Sequence, residues 1–268
     1  MSSVSSSVTP SVSSSSTLLR PPTGISMPQP LRATLWALRT QFFVSGGLFA
    51  IWGVHVPTVK AHYGLGEQSL ALAMLASGGG SLLALMHAGR VVGRWGSRRV
   101  AAVMGLLLCL TVAGLLVTQA YAALLLNMVL FGGTASMFAV AINAEASHIE
   151  GRVARPLMSG FHGMFSLGGL VSAGIGSLLP GWGVAAQTHL LLAAVTALAL
   201  IWAACAAMQP MEGRSGEGHG LSLPRGPLAL IGLLAAVGLV AEGSLYDWSV
   251  LFLSKRSMNR VLELRAVS

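Results

Sequence analysis

Charge is what this sequence has least of. Asp, Glu, Lys and Arg make up 9% of the 268 residues, too few to solvate the surface of a water-soluble domain of this size. Cysteine is nearly absent as well. Cys109 and Cys205 both fall inside apolar runs, so they read as reduced interior residues and give no support to a disulfide framework or a metal site. No cofactor is indicated. Residues 1–30 are not expected to act as a secretory leader: they are rich in Ser and carry Pro21, Pro22, Pro28 and Pro30, with no apolar core segment. That composition cannot bury a core, so residues 1–31 are expected to form a disordered cytoplasmic tail.

What charge there is lies in clumps. No Asp, Glu, Lys or Arg occurs in 40–59, 68–89, 100–144 or 156–211. A helix needs about 20 such residues to cross a hydrocarbon core of ~30 Å. The first two stretches each fit one span, and the other two are each long enough for two. The expected fold is therefore all-α, a polytopic transmembrane helix bundle. Its six-helix part covers 32–210, with helices near 40–59, 68–89, 100–119, 121–144, 156–179 and 186–208. A polar linker over 211–226, a seventh helix over 227–253 and a basic tail over 254–268 follow. Gly64 and Gly66, Pro156, and Pro180-Gly181 mark the breaks between helices.

The net charge of +8 is not a nucleic-acid signature, because the basic residues sit in short segments between apolar runs. They set orientation instead. With the N-terminus in the cytoplasm, the inner segments hold Arg20, Arg32, Arg39, Arg90, Arg94, Arg98, Arg99, Arg152, Arg155, Arg214 and Arg225. The outer loops before the seventh helix hold only Lys60. If the seventh helix spans, Lys255, Arg256, Arg260 and Arg265 lie outside, against the rule.

The segment between helices two and three is the most specific motif: Gly89-Arg90-Val91-Val92-Gly93-Arg94-Trp95-Gly96-Ser97-Arg98-Arg99. Glycines there permit a tight turn, and arginines can pair with carboxylates or helix C-termini. The segment resembles the signature of the major facilitator superfamily in this loop, with Gly89, Arg94, Gly96, Arg98 and Arg99 matching. Gly93 stands where the family usually has an acidic residue, and Ala139 stands about where its fourth helix usually has another. Gly46 to Lys60, Ala141 to Ala144, Met158 to Gly169 and Ala241 to Leu253 extend the likeness to a bacterial inner-membrane, sugar-permease-like branch.

The resemblance implies secondary active transport of a small polar solute, coupled to protons or another ion, by alternating access. Family members have twelve helices in two six-helix halves, with the solute between them. This chain would supply one half and one further helix, as a truncated product with a missing C-terminal half. Its partners would be the lipid bilayer, the solute and protons. A seven-helix receptor or a non-transporting membrane assembly partner is the alternative. An enzyme is not expected: Ser159, Ser166 and His162 all lie on one helix, which does not build a serine protease.

Ionisable and polar residues at membrane depth are the candidates for solute contact or coupling. They are Glu242, His162, Asn143, Asp247, Asn127 and the aromatic Trp52. Asn127 and Glu145 lie about 27 Å apart along helix four, which puts Glu145 at the inner end as a partner for an arginine of the motif. His55 is expected to snorkel to the outer surface. Ser159, His162, Ser166, Gly169, Ala173 and Gly176 form one small-residue face of helix five, suited to close helix packing.

Overall fold

The computed structural model describes residues 29–208 and, with gaps, 226–256. Six α-helices run as α1 (Gln29–His62), α2 (Glu67–Trp95), α3 (Ser97–Ala113), α4 (Tyr121–Val153), α5 (Met158–Leu178) and α6 (Ala186–Ala207). A single 3-10 turn, Leu179–Trp182, joins the last two. A shorter apolar helix, α7, covers Ala229–Leu245. Among the described residues, five helices are long and apolar enough to cross a membrane. The exception in the bundle is α3, whose 17 residues give about 25 Å.

The helices outlast the charge-free stretches at several ends. α1 begins at Gln29, inside the segment expected to be disordered, and α4 runs on to Val153 through Glu145, Glu150 and Arg152. A helix satisfies its own backbone, so nothing forces it to stop where charged side chains reach the headgroups. The connections are correspondingly tight. Gly64 takes a φ of +61° in the turn between α1 and α2, a conformation that costs a residue with a Cβ.

Two helix pairs hold the bundle together, α1 with α5 and α2 with α4, and both use the same device. A Cβ on Gly46 would collide with the backbone carbonyl of Phe165, and one on Gly168 with that of Phe43. A Cβ on Gly80 would meet the carbonyl of Val129, and one on Gly132 that of Ser77. In each pair a glycine three residues after a carbonyl faces the same arrangement on its partner. Close approach of backbones is what holds helices in lipid, where no hydrophobic drive separates one apolar surface from another. Ser81 adds a hydrogen bond from its Oγ to Gly132 O at 3.1 Å. α3 and α6 complete the bundle: α3 packs on α4, α6 on α1, and the two meet each other.

The expected small-residue face of α5 divides in two. Gly169 and Gly176 are buried in the bundle, whereas Ser159, His162 and Ser166 are exposed. The true contact line runs through Phe161, Phe165, Gly168, Ser172 and Gly176, one step around the helix from the expected one. In α2, Gly80 makes the contact, while Gly78 and Gly79 face open space.

Candidate functional site

The core is centred on α1, which buries Phe42, Leu48, Trp52 and Val56. One side of α1 nevertheless stays open, because α4 and α5 flank it without closing over it. There lies a cavity of 540 Å³ lined by Phe42, Ser45, Phe49, Ala139, Ile142, Asn143, His162, Phe165, Ser166 and, from α7, Gly243. Its floor is aromatic. Phe42 stacks on Phe161 with ring centroids 5.4 Å apart and meets the His162 ring edge-on at 5.4 Å. Phe49 lies 6.5 Å from Phe165. Its polar groups are an amide, hydroxyls and an imidazole, and no Asp, Glu, Lys or Arg is among the described residues that line it.

Asn143 donates from Nδ2 to Ala139 O one turn back, at 2.8 Å. That bond fixes the amide on the helix surface and leaves its oxygen for a ligand. His162 is exposed on α5 and held at an angle by Phe42. Asn143 and His162 are thus the two expected residues that the fold brings to one cavity.

The other expected residues lie elsewhere. Trp52 is 4% exposed and packs on Phe131 of α4, ring centroids 6.2 Å apart. It is part of the α1–α4 contact and does not line the cavity. Asn127 donates from Nδ2 to Thr111 O at 3.0 Å, in the last turn of α3. Gln187 of α6 does the same to Ala113 O at 3.0 Å. These two amides satisfy carbonyls in the last turn of α3, which a helix leaves without intrahelical partners. Glu242 and Asp247 lie outside the described residues.

The motif between α2 and α3 is almost entirely helical. α2 carries Gly89, Arg90 and Arg94 and ends at Trp95, and α3 starts at Ser97 with Arg98 and Arg99 in its first turn. Gly96 alone makes the turn, with φ +80° and its N–H bonded to Val92 O at 2.9 Å. Arg90, Arg94 and Arg99 point to the exterior, and Arg98 is half-buried. Glu145 does not pair with any of them. It is 2% exposed and accepts a hydrogen bond from Ser97 Oγ. Ser97 is the first residue of α3, so the carboxylate sits at a helix N-terminus, where the helix dipole favours it. An ion pair, Lys60–Glu67 at 2.8 Å, lies at the opposite end of the bundle.

Some structural residues were missed from sequence. Glu150 of α4 accepts the backbone N–H groups of Leu157 and Met158 at 2.6 and 2.7 Å, closing the turn into α5. Gln41 is fully buried and donates to Cys205 Sγ at 3.1 Å. His55 does not reach the surface; it is 5% exposed and bonded to His189. Polar residues inside apolar runs were the available signal, but their partners lie far away in the chain.

The family model of the Major Facilitator Superfamily matches residues 38–262. An uncharacterised MFS-type transporter of Yersinia pestis is 37% identical over 216 residues, covering 81% of this chain and 56% of that protein. An uncharacterised transporter of Sinorhizobium fredii is 30% identical over 219 residues, with 79% and 57% covered. The membrane protein MosC of Rhizobium meliloti is 29% identical over 228 residues, with 83% and 54% covered. No solved structure matches the chain. The chain thus spans a little over half the length of these relatives. With an all-helical bundle, apolar spans and an open cavity on one side of α1, this protein belongs to the Major Facilitator Superfamily.

Proposed function

We propose that this chain forms the N-terminal half of a secondary transporter that moves a small polar solute across a bacterial inner membrane by alternating access. The observation that carries this reading is the 540 Å³ cavity. It combines aromatic faces with a few convergent polar groups, the composition expected of a small-molecule site. Aromatic rings can cover the apolar face of a ring-shaped solute while Ser45, Asn143, His162 and Ser166 reach its hydroxyls. The absence of formal charge among the described lining residues favours a neutral solute. A sugar or another polyhydroxylated ring meets those terms.

The cavity is one wall of a site. A complementary half supplies the other, and rocking of the two halves exposes the site to each side in turn. The basic end of the bundle, with Arg90, Arg94, Arg98 and Arg99, faces the cytoplasm, as does the N-terminus. Movement of the solute is coupled to protons. Glu242 and Asp247, which lie outside the described residues, remain candidates for that coupling, and Glu145 with Ser97 steadies the motif at the inner end.

Uptake into vesicles tests the reading. The chain is reconstituted alone, and together with the C-terminal half of the Yersinia pestis relative, against a panel of radiolabelled monosaccharides and polyols. Saturable uptake is expected from the pair and little from the chain alone. Saturable, coupled flux from the chain alone would overturn the half-transporter reading.

A further inference from the structure

Far from the cavity floor, where α1 leaves the bundle and α6 enters it, two imidazoles are buried against each other. His55 Nε2 lies 2.9 Å from His189 Nδ1. The rings are 5.0 Å apart between centroids, and the residues are 5% and 6% exposed. They belong to different helices, 134 residues apart in the chain. Gly176 of α5 presses on the same place, since a Cβ there would come within 3.1 Å of His189 Cε1 and 2.9 Å of Val54. The pair is therefore held by three helices.

A contact of this length between two ring nitrogens requires one hydrogen between them. Two tautomeric arrangements supply it. If His55 Nε2 donates, His189 carries its own hydrogen on Nε2, and His55 Nδ1 is a lone pair. If His189 Nδ1 donates, His55 carries its hydrogen on Nδ1, and His189 Nε2 is the lone pair. Either way the neutral pair keeps one basic nitrogen pointing away from the contact. One proton from water can bind there without breaking the hydrogen bond between the rings, and the charge is then shared by both. A second proton would leave the pair no acceptor and is excluded.

Among the described residues, the three helices that hold the pair bring no counter-charge to it. α5 brings Gly176 and no Asp, Glu, Lys or Arg over its whole length. From α1 the next charged group is Lys60, bonded to Glu67 at 2.8 Å, and His62 is bonded to Thr118 O at 2.8 Å. On α6 the preceding residues are Thr188 and Gln187, both uncharged, and Gln187 donates from Nε2 to Ala113 O. His189 also borders a second, apolar cavity of 340 Å³ between α1, α5 and α6, which leaves its ring open on that side. A proton taken up here sits as an uncompensated charge on the α1–α6 contact.

We propose that His55 and His189 form a single-proton binding site of the half-bundle. This supplies a proton-carrying group to the transport reading and rests on that reading for its role in coupling, though not for its existence. The test is a ring titration of the full chain in lipid nanodiscs, with isotope-labelled histidine and the two rings assigned by H55Q and H189Q. Between about pH 8 and pH 3 both rings are expected to report one shared step that binds one proton. Each variant should abolish that step and leave the exposed His87 signal unchanged. Independent titration of the two rings, or no titration of either across that range, would overturn the site. The shared step is read in the unmodified protein, so a variant that fails to fold does not remove the test. A failed uptake assay with a shared titration would sink the transport reading alone.

Discussion

Gly80 on α2 and Gly132 on α4 each lie against a backbone carbonyl of the other helix, Val129 and Ser77 respectively. No side chain, however small, fits at either place without moving a helix. The G80A and G132A variants are each expected to lose roughly 1–3 kcal/mol of stability, the usual cost of overpacking. G46A and G168A should behave alike on α1 and α5. G79A, which faces open space, should be neutral or slightly stabilising. Thermal unfolding in detergent checks the series, and a destabilised G79A beside an unaffected G80A would contradict it.

Glu145 and Ser97 carry the second prediction. Both are buried, and the hydrogen bond between them ties α4 to the start of α3. Removing one partner leaves the other without its bond, at about 1–3 kcal/mol. E145A and S97A should each show that loss, and the double variant should lose less than the sum. A double-mutant cycle with no coupling energy would show that the bond contributes nothing.

Glu150 gives the third. Its carboxylate holds two N–H groups at the start of α5, where a helix has unsatisfied donors. E150A should cost about 1–2 kcal/mol, as loss of a helix cap does. E150Q should recover part of that, since an amide oxygen still accepts. Equal stability of wild type and E150A in a denaturation series would remove the capping role.

Much of the fold was legible in the sequence because lipid imposes a coarse rule. Uncharged runs such as 68–89 must become helices, and the arginines between them must stay at the ends. Helix ends were less legible: Arg32 and Glu150 lie inside helices, since a charge at headgroup depth does not stop a helix. The site was legible only in part. Asn143 and His162 stood out as polar groups at membrane depth, and the fold puts both on one cavity. Trp52 and Asn127 carried the same signal, and the fold places them against Phe131 and at the end of α3. A single helix shows which residues share a face, but only its neighbours decide whether that face meets a helix, lipid or a cavity. The pairing of His55 with His189 was beyond reach for the same reason.

Solute contact yields a fourth prediction. His162 is exposed and Asn143 half-buried, so H162A and N143A should leave thermal stability nearly unchanged. Each should lower saturable uptake by the paired halves about 10- to 100-fold, the worth of a lost polar contact to a bound solute. F42A should instead destabilise the bundle by about 3–5 kcal/mol, because Phe42 is 1% exposed beneath the cavity. Unchanged uptake in both polar variants would move the solute elsewhere.

The central claim is that water, and with it a polar solute, reaches the α1–α4–α5 cavity inside the membrane. Thiol labelling measures this most directly. With Cys109 and Cys205 replaced by Ala, H162C and V195C are each offered a membrane-impermeant maleimide in native membranes opened on both sides. Val195 on α6 is 67% exposed but does not line that cavity, so it should face lipid. The account predicts rapid labelling at position 162 and none at 195. Protection of both positions alike, or labelling at 195 alone, would contradict it.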